Sequence, residues 1–490
     1  MSNLNKRTFV YQFVFLLAIA ALNFTLFIVE CSPLDGLKLV GFFSVFELLL
    51  FYIFSALISG RFFTFSSLFL SVLFLFNFGQ VVIFTFFSGF YSHVRFLLLL
   101  TPEDSFYGFK FIHLAFSSIM LGIILFSKNS FNSKFAKKEY FLSQEYDFSK
   151  IARDIIALTF PIKLVLDLLT LVVSIVYGGP YARSWLNSFP NVILYIGKIS
   201  LIGFALLIIC NKEKPSRQFR VFAFIEIYIL IMMISGIRSE NVGYLLVFLF
   251  LFLTSRKNKP RLFSVLIYSF FGILSLFFVV AVGNFRLESD RSITSFLNIL
   301  SNAFTSENVL LSLLDNCGDT AYTSLCVICK WFPSHSPSYG SSYYLGWFSV
   351  LPNIPPIFTL PGDITRQSYF AIKLQESGSL SSSYTNIGGS LIGEQLFNFG
   401  LIGGAISSFA IGSLIGIISR KYNVFSKFKH YYGMIFLIPA MFALVYWVRD
   451  YFGGGFREAI WGPLFCLLII AIFKRRKTHI SSYLDQRTYR

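Results

Sequence analysis

VFAFIEIYILIMMISGIRSENVGYLLVFLFLFLTSRKNKPR, residues 221–261, consists of two apolar runs, a polar turn between them and a basic end. A membrane-spanning helix needs roughly 20 apolar residues, so the apolar part is too long for one crossing and short for two. Arg238 and Glu240 lie at its centre, although charged side chains are costly near hydrocarbon. We therefore expect two short helices, 221–235 and 241–254, joined by a polar turn at one membrane face.

The composition of the whole chain is that of an integral membrane protein. Of its 490 residues, 55% are hydrophobic and 13% are charged, whereas soluble proteins average about 25% charged residues. The mean hydropathy is +0.69. The formal net charge of +17 does not indicate nucleic-acid binding, because no soluble basic domain carries it. We expect an all-α polytopic membrane protein.

Apolar windows along the chain predict about twelve transmembrane helices. The expected spans are 9–30, 39–59, 62–87, 106–126, 155–177, 190–210, 221–235, 241–254, 262–282, 396–418, 431–448 and 459–473. Nine of them fall within 1–282 and three within 388–473. The first is not expected to be a cleaved signal, because no small-residue cleavage motif precedes Glu30 and further spans follow at once.

Basic residues are concentrated in alternate connections between these spans. With the N-terminus inside, the segments on that side hold 27 of the 41 Lys and Arg residues. Those segments are 1–8, 60–61, 127–154, 211–220, 255–261, 419–430 and 474–490. The positive-inside rule then predicts that both termini are cytoplasmic, including a basic tail at 474–490. The turn at 236–240 must then face outward.

Residues 283–387 form one outer connection of about a hundred residues, far longer than an ordinary connection. It contains two amphipathic stretches, TSENVLLSLLDN and DTAYTSLCVICKWF, followed by a segment rich in Pro and Gly. We expect this long periplasmic loop to form a helical cap over an outward-facing cavity. We find no internal repeat of the kind that inverted-repeat transporters contain.

Arginines recur close to the predicted outer membrane face. They are Arg183, Arg238, Arg286, Arg291, Arg449 and Arg457. One alone would be a side chain that extends to the headgroup region. Several together, beside carboxylates, indicate an anionic ligand, because the planar guanidinium matches phosphate oxygens.

Two acidic residues are further candidates at the same face. Glu394 and Asn398 in GGSLIGEQLFNFGLIGG, residues 388–404, are spaced i, i+4, which places them on one face of a helix entering from outside. Glu394 is either a solvated interface residue or a functional group. Arg238 and Glu240 are either a structural ion pair in a tight turn or part of a site.

Charged residues also occur inside the predicted spans. Lys163 and Asp167, at i, i+4, are expected to neutralise each other. Glu47, Lys198 and Glu226 have no such neighbour, and unpaired charges within a membrane usually face a cavity.

No motif indicates a metal or a cofactor, and we expect neither. Glu288 and Asp290 only approximate the carboxylate pair of a divalent-cation site. Cys326 and Cys329 lack the second ligand pair of a zinc site, and a histidine between prolines, His335, is typical of a protein surface. The chain contains neither a Walker loop nor a dinucleotide fingerprint.

Several stretches together resemble the Wzy-type O-antigen polysaccharide polymerases of bacterial inner membranes, over roughly residues 150–470. They are YGGPYARS (177–184), SGIRSENVGYLL (235–246), VGNFRLES (282–289), the segment 315–353 from DNCGDTAYTSLCVICKWF to GWFSVLPN, GGSLIGEQLFNFGLIGG (388–404) and RDYFGGGFRE (449–458).

The resemblance implies a reaction on the periplasmic face. A growing glycan moves from one undecaprenyl diphosphate onto the non-reducing end of a newly flipped lipid-linked repeat unit. The donor's sugar–phosphate bond stores the driving force, so neither ATP nor a sugar nucleotide is needed. The implied partners are the donor and acceptor lipids, the membrane lipids and a polysaccharide chain-length regulator, with no nucleic acid.

Such a reaction needs cations for the departing diphosphate and a base for the acceptor hydroxyl. We expect Arg238 to be catalytic, with Glu240 or Glu394 as the base. The residues expected to bind substrate are Arg183, Arg286, Asp319, Asn398, Arg449 and Arg457, and Asp319 is also a third candidate base.

Two other functions stay open on the sequence alone. An O-antigen ligase shares the lipid-diphosphate donor and a large outer loop, and a lipid-linked oligosaccharide flippase also has about twelve helices. GEQLFNFG and RDYFGGGFRE favour a polymerase over a ligase. The single dominant outer connection is unlike the short, balanced loops of a flippase. A structural scaffold protein would not need the arginines.

Overall fold

The chain is built from α-helices that are long and apolar enough to cross a membrane. The computed structural model describes residues 3–488 except 88–93, 128–147, 178–190, 236–237, 257–274, 276, 283–284, 286–292, 306–308, 349, 352–367, 380–387 and 429. These described residues form helices and turns without a β-strand, and eight of the helices are candidate membrane spans. The predicted fold class is confirmed: this is an all-α polytopic membrane protein.

The described helices have the following bounds in chain order. They are α1 (Asn3–Ile28), α2 (Pro33–Ser59), α3 (Phe65–Phe86), α4 (Arg95–Leu99), α5 (Pro102–Phe126), α6 (Phe148–Tyr177), α7 (Asn191–Cys210), α8 (Pro215–Met233), α9 (Arg238–Ser255), α10 (Ile293–Thr305), α11 (Val309–Gly318), α12 (Thr320–Cys326), α13 (Ser341–Phe348), α14 (Phe370–Glu376), α15 (Leu391–Phe428), α16 (Tyr431–Trp447) and α17 (Phe452–Thr488), and a π-helical turn (Val327–Trp331) follows α12.

The candidate spans correspond to most of the predicted ones. Helices α1, α2, α3, α5, α6, α7, α15 and α17 each contain one, and α9 and α16 are shorter apolar helices. Helix α8, over the predicted span 221–235, is less apolar because Arg217, Arg220 and Glu226 lie in it. The predicted span 262–282 lies mostly outside the described residues, so the number twelve stays a prediction.

Two helices begin earlier than hydropathy predicted, because a side chain caps the first turn of each. Helix α2 begins at Pro33, where the Ser32 hydroxyl accepts a hydrogen bond from the backbone N–H of Asp35 (3.2 Å). In α5 the Thr101 hydroxyl accepts one from the N–H of Asp104 (3.1 Å). Such caps satisfy the free N–H groups of a first turn, and a polar first turn is invisible to a hydropathy window.

Helix α15 is interrupted at Gly400. Its φ of 75° and ψ of −174° belong to a region that is essentially restricted to glycine. The break separates a first segment, which contains Glu394 and Asn398, from the remainder of the helix. These two residues share one helix face, as predicted, and the Asn398 side-chain amide donates to the Glu394 backbone carbonyl (2.8 Å).

Small residues allow α5 and α15 to pack closely. A Cβ on Gly412 would lie 2.1 Å from the backbone oxygen of Ile119, and one on Gly122 would lie 2.3 Å from that of Phe409. Such close backbone approach at small residues is how membrane helices associate without a hydrophobic driving force. This interface joins the first helices of the chain to the last ones.

Glu47 was expected to be unpaired and to face a cavity, and this expectation is wrong. Its carboxylate is fully buried, accepts a hydrogen bond from the Ser117 hydroxyl (2.7 Å) and lies 3.5 Å from Nε2 of His113. Asn23 contacts the other ring nitrogen of that histidine (3.2 Å). The partners lie on α1 and α5, so local spacing along α2 does not reveal them.

Three further charged residues within the bundle also have partners. The predicted i, i+4 pair of Lys163 and Asp167 is confirmed, with the ammonium 2.9 Å from the carboxylate, and the Tyr228 hydroxyl donates to Asp167. Glu226 accepts a hydrogen bond from the Ser275 hydroxyl (3.1 Å), so it too is not unpaired.

The long connection 283–387 contains helices, as predicted, and part of it enters the bundle. All seven residues of α12 are buried, and α12 contacts α3, α5 and α15. Helix α11 approaches α3 so closely that a Cβ on Gly79 would lie 2.3 Å from the backbone oxygen of Leu314. These helices therefore hold the long connection to the membrane-spanning part of the chain.

Candidate functional site

Four polar side chains from three helices meet near the end of the bundle at which α9, α15 and α17 begin, which we call the loop end. Lys198 lies in the first half of α7, Glu240 and Tyr244 lie in the first two turns of α9, and Glu458 lies in the second turn of α17. We call these four residues the charge cluster. With a rise of 1.5 Å per residue, Glu458 is about 9 Å along α17 from its first residue.

The two carboxylates of the charge cluster share the same two partners. Lys198 forms ion pairs with both Glu240 and Glu458. The Tyr244 hydroxyl lies 2.5 Å from Oε1 of Glu240 and 2.9 Å from each carboxylate oxygen of Glu458. Because a phenol has one proton, Tyr244 donates to only one carboxylate at a time. The glutamates therefore compete for one hydroxyl and share one ammonium.

The charge cluster has one negative charge in excess when both carboxylates are ionised, since Lys198 neutralises only one of them. Lys163 does not remove this excess, because it is paired with Asp167. Like charges in a partly buried site repel each other strongly, and protonation of one carboxylate relieves that repulsion. The arrangement is therefore suited to accepting one proton.

Arg457 precedes Glu458 and is buried without a carboxylate partner. The residue is 9% exposed, and among the described residues it forms no ion pair and its Nε has no hydrogen-bond partner. Nη1 lies 3.5 Å from the Tyr195 hydroxyl, and Tyr446 and Tyr451 are also near. A buried guanidinium without an anion is costly, so Arg457 has a charge that the described part of the protein leaves without a carboxylate partner.

A small cavity of about 20 Å³ adjoins the charge cluster. Tyr195, Lys198, Tyr244 and Glu458 form its polar side, and apolar residues of α7, α16 and α17 form the rest. This volume is enough for one water-sized group. Glu240 is not among the lining residues.

Glu394, in the first turn of α15, joins this helix to three others at the loop end. Its carboxylate is fully buried and accepts hydrogen bonds from the Ser342 hydroxyl (2.6 Å), the Trp447 indole N–H (2.6 Å) and the backbone N–H of Phe452 (2.9 Å). Asn398 donates to the same serine hydroxyl (2.7 Å). Phe452 is the first residue of α17, where a carboxylate also interacts favourably with the helix dipole. This geometry favours a positioning role for Glu394 and Asn398.

Arg449 and Asp319 both contact α3. The Arg449 guanidinium lies 5.7 Å from the centre of the Phe76 ring. Asp319 accepts a hydrogen bond from the Gln80 side-chain amide (2.7 Å), which also lies 2.9 Å from Asp315. Phe76 and Gln80 are one turn apart, so Arg449 and Asp319 lie along the same face of α3.

Several predicted site residues lie outside the described part of the chain. These are Arg183, Arg286, Glu288, Asp290 and Arg291. Arg238 begins α9, but its side chain is not described. Among the described residues, Glu240 has Lys198 and Tyr244 as partners. The structure thus places Glu240 beside Glu458, with Lys198 between them, and it places Glu394 with Asn398 in a separate network.

Sequence reasoning missed Tyr244, Glu458 and Trp447, and it took Lys198 to be unpaired. One signal could have identified the ion pair of Lys198 with Glu458. Both are charged residues at or within predicted spans, they have opposite signs, and neither has a local partner. Such residues usually pair with each other inside a membrane.

The described residues offer no obvious metal site. They contain no group of three or more His, Cys, Asp or Glu side chains that could hold a metal ion. Burial raises the pKa of the Cys326 thiol to about 11 and that of Cys329 to about 12. A raised pKa disfavours the thiolate that a metal requires.

A family model described as O-antigen polysaccharide polymerase Wzy matches residues 8–479, which include the whole charge cluster, Arg457 and Glu394. No curated protein and no solved structure matches the chain.

Proposed function

Because the chain belongs to the O-antigen polysaccharide polymerase Wzy family, we propose that it polymerises undecaprenyl-diphosphate-linked repeat units of O-antigen or a related surface polysaccharide. The reaction takes place at the periplasmic face of the bacterial inner membrane. The growing chain is transferred en bloc from its lipid diphosphate to a new lipid-linked unit.

In this reaction one bond forms and one breaks at the same carbon. The acceptor hydroxyl oxygen attacks the anomeric carbon of the donor glycan. The bond from that carbon to the phosphate oxygen breaks, and its electron pair leaves with the lipid diphosphate. The hydroxyl proton moves to a carboxylate of the enzyme. The protein must therefore supply a cation for the leaving group and a base within reach of the same carbon.

The proposal rests mainly on one observation: Arg457 precedes Glu458 in α17, and its guanidinium lies near Tyr195, which lines the same cavity as the charge cluster. The buried guanidinium of Arg457 is suited to bidentate contact with the departing diphosphate, and the cluster has the excess negative charge that a base requires. Glu240 is better placed for this chemistry than Glu394, whose carboxylate is enclosed by three donors. The base function thus belongs to the charge cluster.

The other predicted residues have supporting roles in this proposal. Arg238 begins α9, the helix that contributes Glu240, and contacts the same diphosphate. Arg183, Arg286 and Arg449 contribute further positive charge for the two lipid headgroups, and Asp319 contacts glycan hydroxyls. Asn398 acts through Glu394 and Ser342. The proposed partners are the donor and acceptor lipids and a polysaccharide chain-length regulator.

The proposal places the loop end in the periplasm and both termini in the cytoplasm, as the distribution of Lys and Arg predicts. In a Cys31→Ser background, which removes an exposed thiol, Ser336→Cys should react with a membrane-impermeant maleimide from the periplasm. Ser216→Cys, which is also exposed, should react only after the inner membrane is permeabilised. The opposite pattern of labelling would exclude a periplasmic reaction at the charge cluster.

Deletion of the gene distinguishes a polymerase from a ligase or a flippase. The measurement is the electrophoretic profile of lipopolysaccharide from the deletion strain. We expect a lipid A core capped with a single repeat unit, because ligation and flipping continue while chain extension stops. Expression of the intact chain should restore the ladder. A core without any cap would instead indicate a ligase or a flippase, because either loss prevents even one unit from reaching the core.

A further inference from the structure

Glu458 is the carboxylate of the charge cluster that faces the cavity. It lines the cavity together with Lys198, Tyr244 and Tyr195, whereas Glu240 does not. Helix α16 contributes two apolar residues to the lining, Pro439 and Phe442. A hydroxyl group that enters this space therefore meets Glu458 as its carboxylate neighbour.

The hydrogen bonds of the charge cluster also differ between the two glutamates. The Tyr244 hydroxyl is 2.5 Å from Glu240 but 2.9 Å from Glu458, so its single proton is directed to Glu240. Lys198 contacts Oε1 of Glu458, so Oε2 of Glu458 has only the longer contact with the Tyr244 hydroxyl and can take up a proton. Both contacts of Glu240 fall on its Oε1, so the two glutamates are distinguished by the shorter Tyr244 contact at Glu240 and by the cavity that Glu458 lines.

The position of Glu458 on α17 also suits a base. It follows Arg457 directly, so the two side chains are about 100° apart around the helix and about 1.5 Å apart along its axis. The leaving diphosphate is bonded to the anomeric carbon, and the attacking hydroxyl approaches the same carbon. A single helical turn that presents a guanidinium and a carboxylate can therefore reach both groups.

From these observations, and on the basis of the proposed function, we propose that Glu458 is the general base that takes the proton of the acceptor hydroxyl. The proton passes from the hydroxyl to Oε2 of Glu458 as the oxygen bonds to the anomeric carbon and the diphosphate leaves. Lys198 and Tyr244 are positioning residues that orient the Glu458 carboxylate, and the ammonium of Lys198 also favours its ionised form. Glu240 shares both of these partners, and its like charge favours the uptake of a proton by Glu458. Protonation of Glu458 leaves Lys198 and Glu240 as a neutral pair.

The test uses the full chain in lipid nanodiscs. The probe is the pool of single-unit lipid-linked intermediates extracted from a strain that lacks the gene. Wild type, Glu458→Gln, Glu240→Gln and, as a control on an exposed carboxylate, Glu103→Gln are compared for kcat and KM across pH. General-base catalysis contributes about 10²–10⁴-fold. We therefore expect Glu458→Gln to lose at least 100-fold in kcat with little change in KM, and to lose the rise of rate with pH.

Glu240→Gln should keep that rise and lose less than about 10-fold, in keeping with a positioning role. The assignment is overturned if Glu458→Gln retains the wild-type rate, or if Glu240→Gln loses as much as Glu458→Gln or more. If Glu458→Gln does not fold, Glu458→Asp, which retains the carboxylate at a greater distance, should lower kcat and keep the pH dependence, and an unchanged kcat would overturn the assignment.

The proposed function has its own readout in the same experiment. Wild-type protein that makes no polymer from the extracted pool contradicts the polymerase. Wild-type protein that makes polymer, together with a fully active Glu458→Gln variant, contradicts only the assignment of the base.

Discussion

Arg457→Ala is expected to abolish the polysaccharide ladder while the protein stays in the membrane at its normal level. It should also be at least as resistant to thermal unfolding as the wild type. A residue that merely held the fold together would give the opposite stability result. The reason lies in the surroundings of Arg457, which is 9% exposed and has no carboxylate partner among the residues that the structure describes.

An unpaired buried charge lowers the stability of a protein, and replacing it with an apolar group removes that cost. Such a residue persists where the charge is needed for function, which is the usual conflict between stability and activity. Loss of one preorganised group that stabilises a developing anion typically lowers turnover by about 10²–10³-fold. A ladder assay will register a loss of this size as the absence of polymer.

Two comparisons make the Arg457 experiment decisive. Arg457→Lys retains the charge but not the planar fork of donors, so it should restore short chains only. Arg153→Ala, which removes an exposed arginine, should leave the ladder intact. A normal ladder from Arg457→Ala would remove this residue from the diphosphate site. An equal loss of protein level would show that it is a structural residue.

Local sequence patterns predicted the parts of the fold that depend on neighbouring residues. Runs of apolar residues located the spans, and i, i+4 spacing predicted the pair of Lys163 and Asp167 and the shared face of Glu394 and Asn398. These predictions succeed because both partners lie on one helix, where geometry fixes their distance.

The same patterns did not reveal the charge cluster, because its members come from three helices. Lys198 and Glu458 are separated by 260 positions along the chain, and neither has an oppositely charged neighbour at helical spacing. Only the packing of α7, α9 and α17 brings them together. The sequence therefore indicated that Lys198 and Glu240 needed an explanation, but only the folded chain shows that Glu458 is the third charge of the cluster.

Substitution of Glu394 is the second change with a large expected effect. Alanine and glutamine at this position should give different results, and the difference separates a structural role from a catalytic one. Glu394→Ala should lose most of the folded protein from the membrane. It leaves a serine hydroxyl, an indole N–H and the first N–H of α17 without an acceptor, and each buried group without a partner costs about 1–3 kcal/mol. The sum is a large fraction of the roughly 5–15 kcal/mol that stabilises a typical protein. Protein level and thermal unfolding in detergent measure this loss.

Glu394→Gln should instead retain both the fold and the ladder. The Trp447 indole and the Phe452 N–H both donate to Oε2 of Glu394, and the side-chain oxygen of glutamine can accept both bonds. The Ser342 hydroxyl faces the other oxygen, and it can rotate to accept a hydrogen bond from the glutamine NH₂, since a hydroxyl both donates and accepts. Glutamine has almost the same shape as glutamate but cannot take up a proton. If Glu394 were the general base, Glu394→Gln would be inactive at a normal protein level, and that result would move the base from the charge cluster to the first turn of α15.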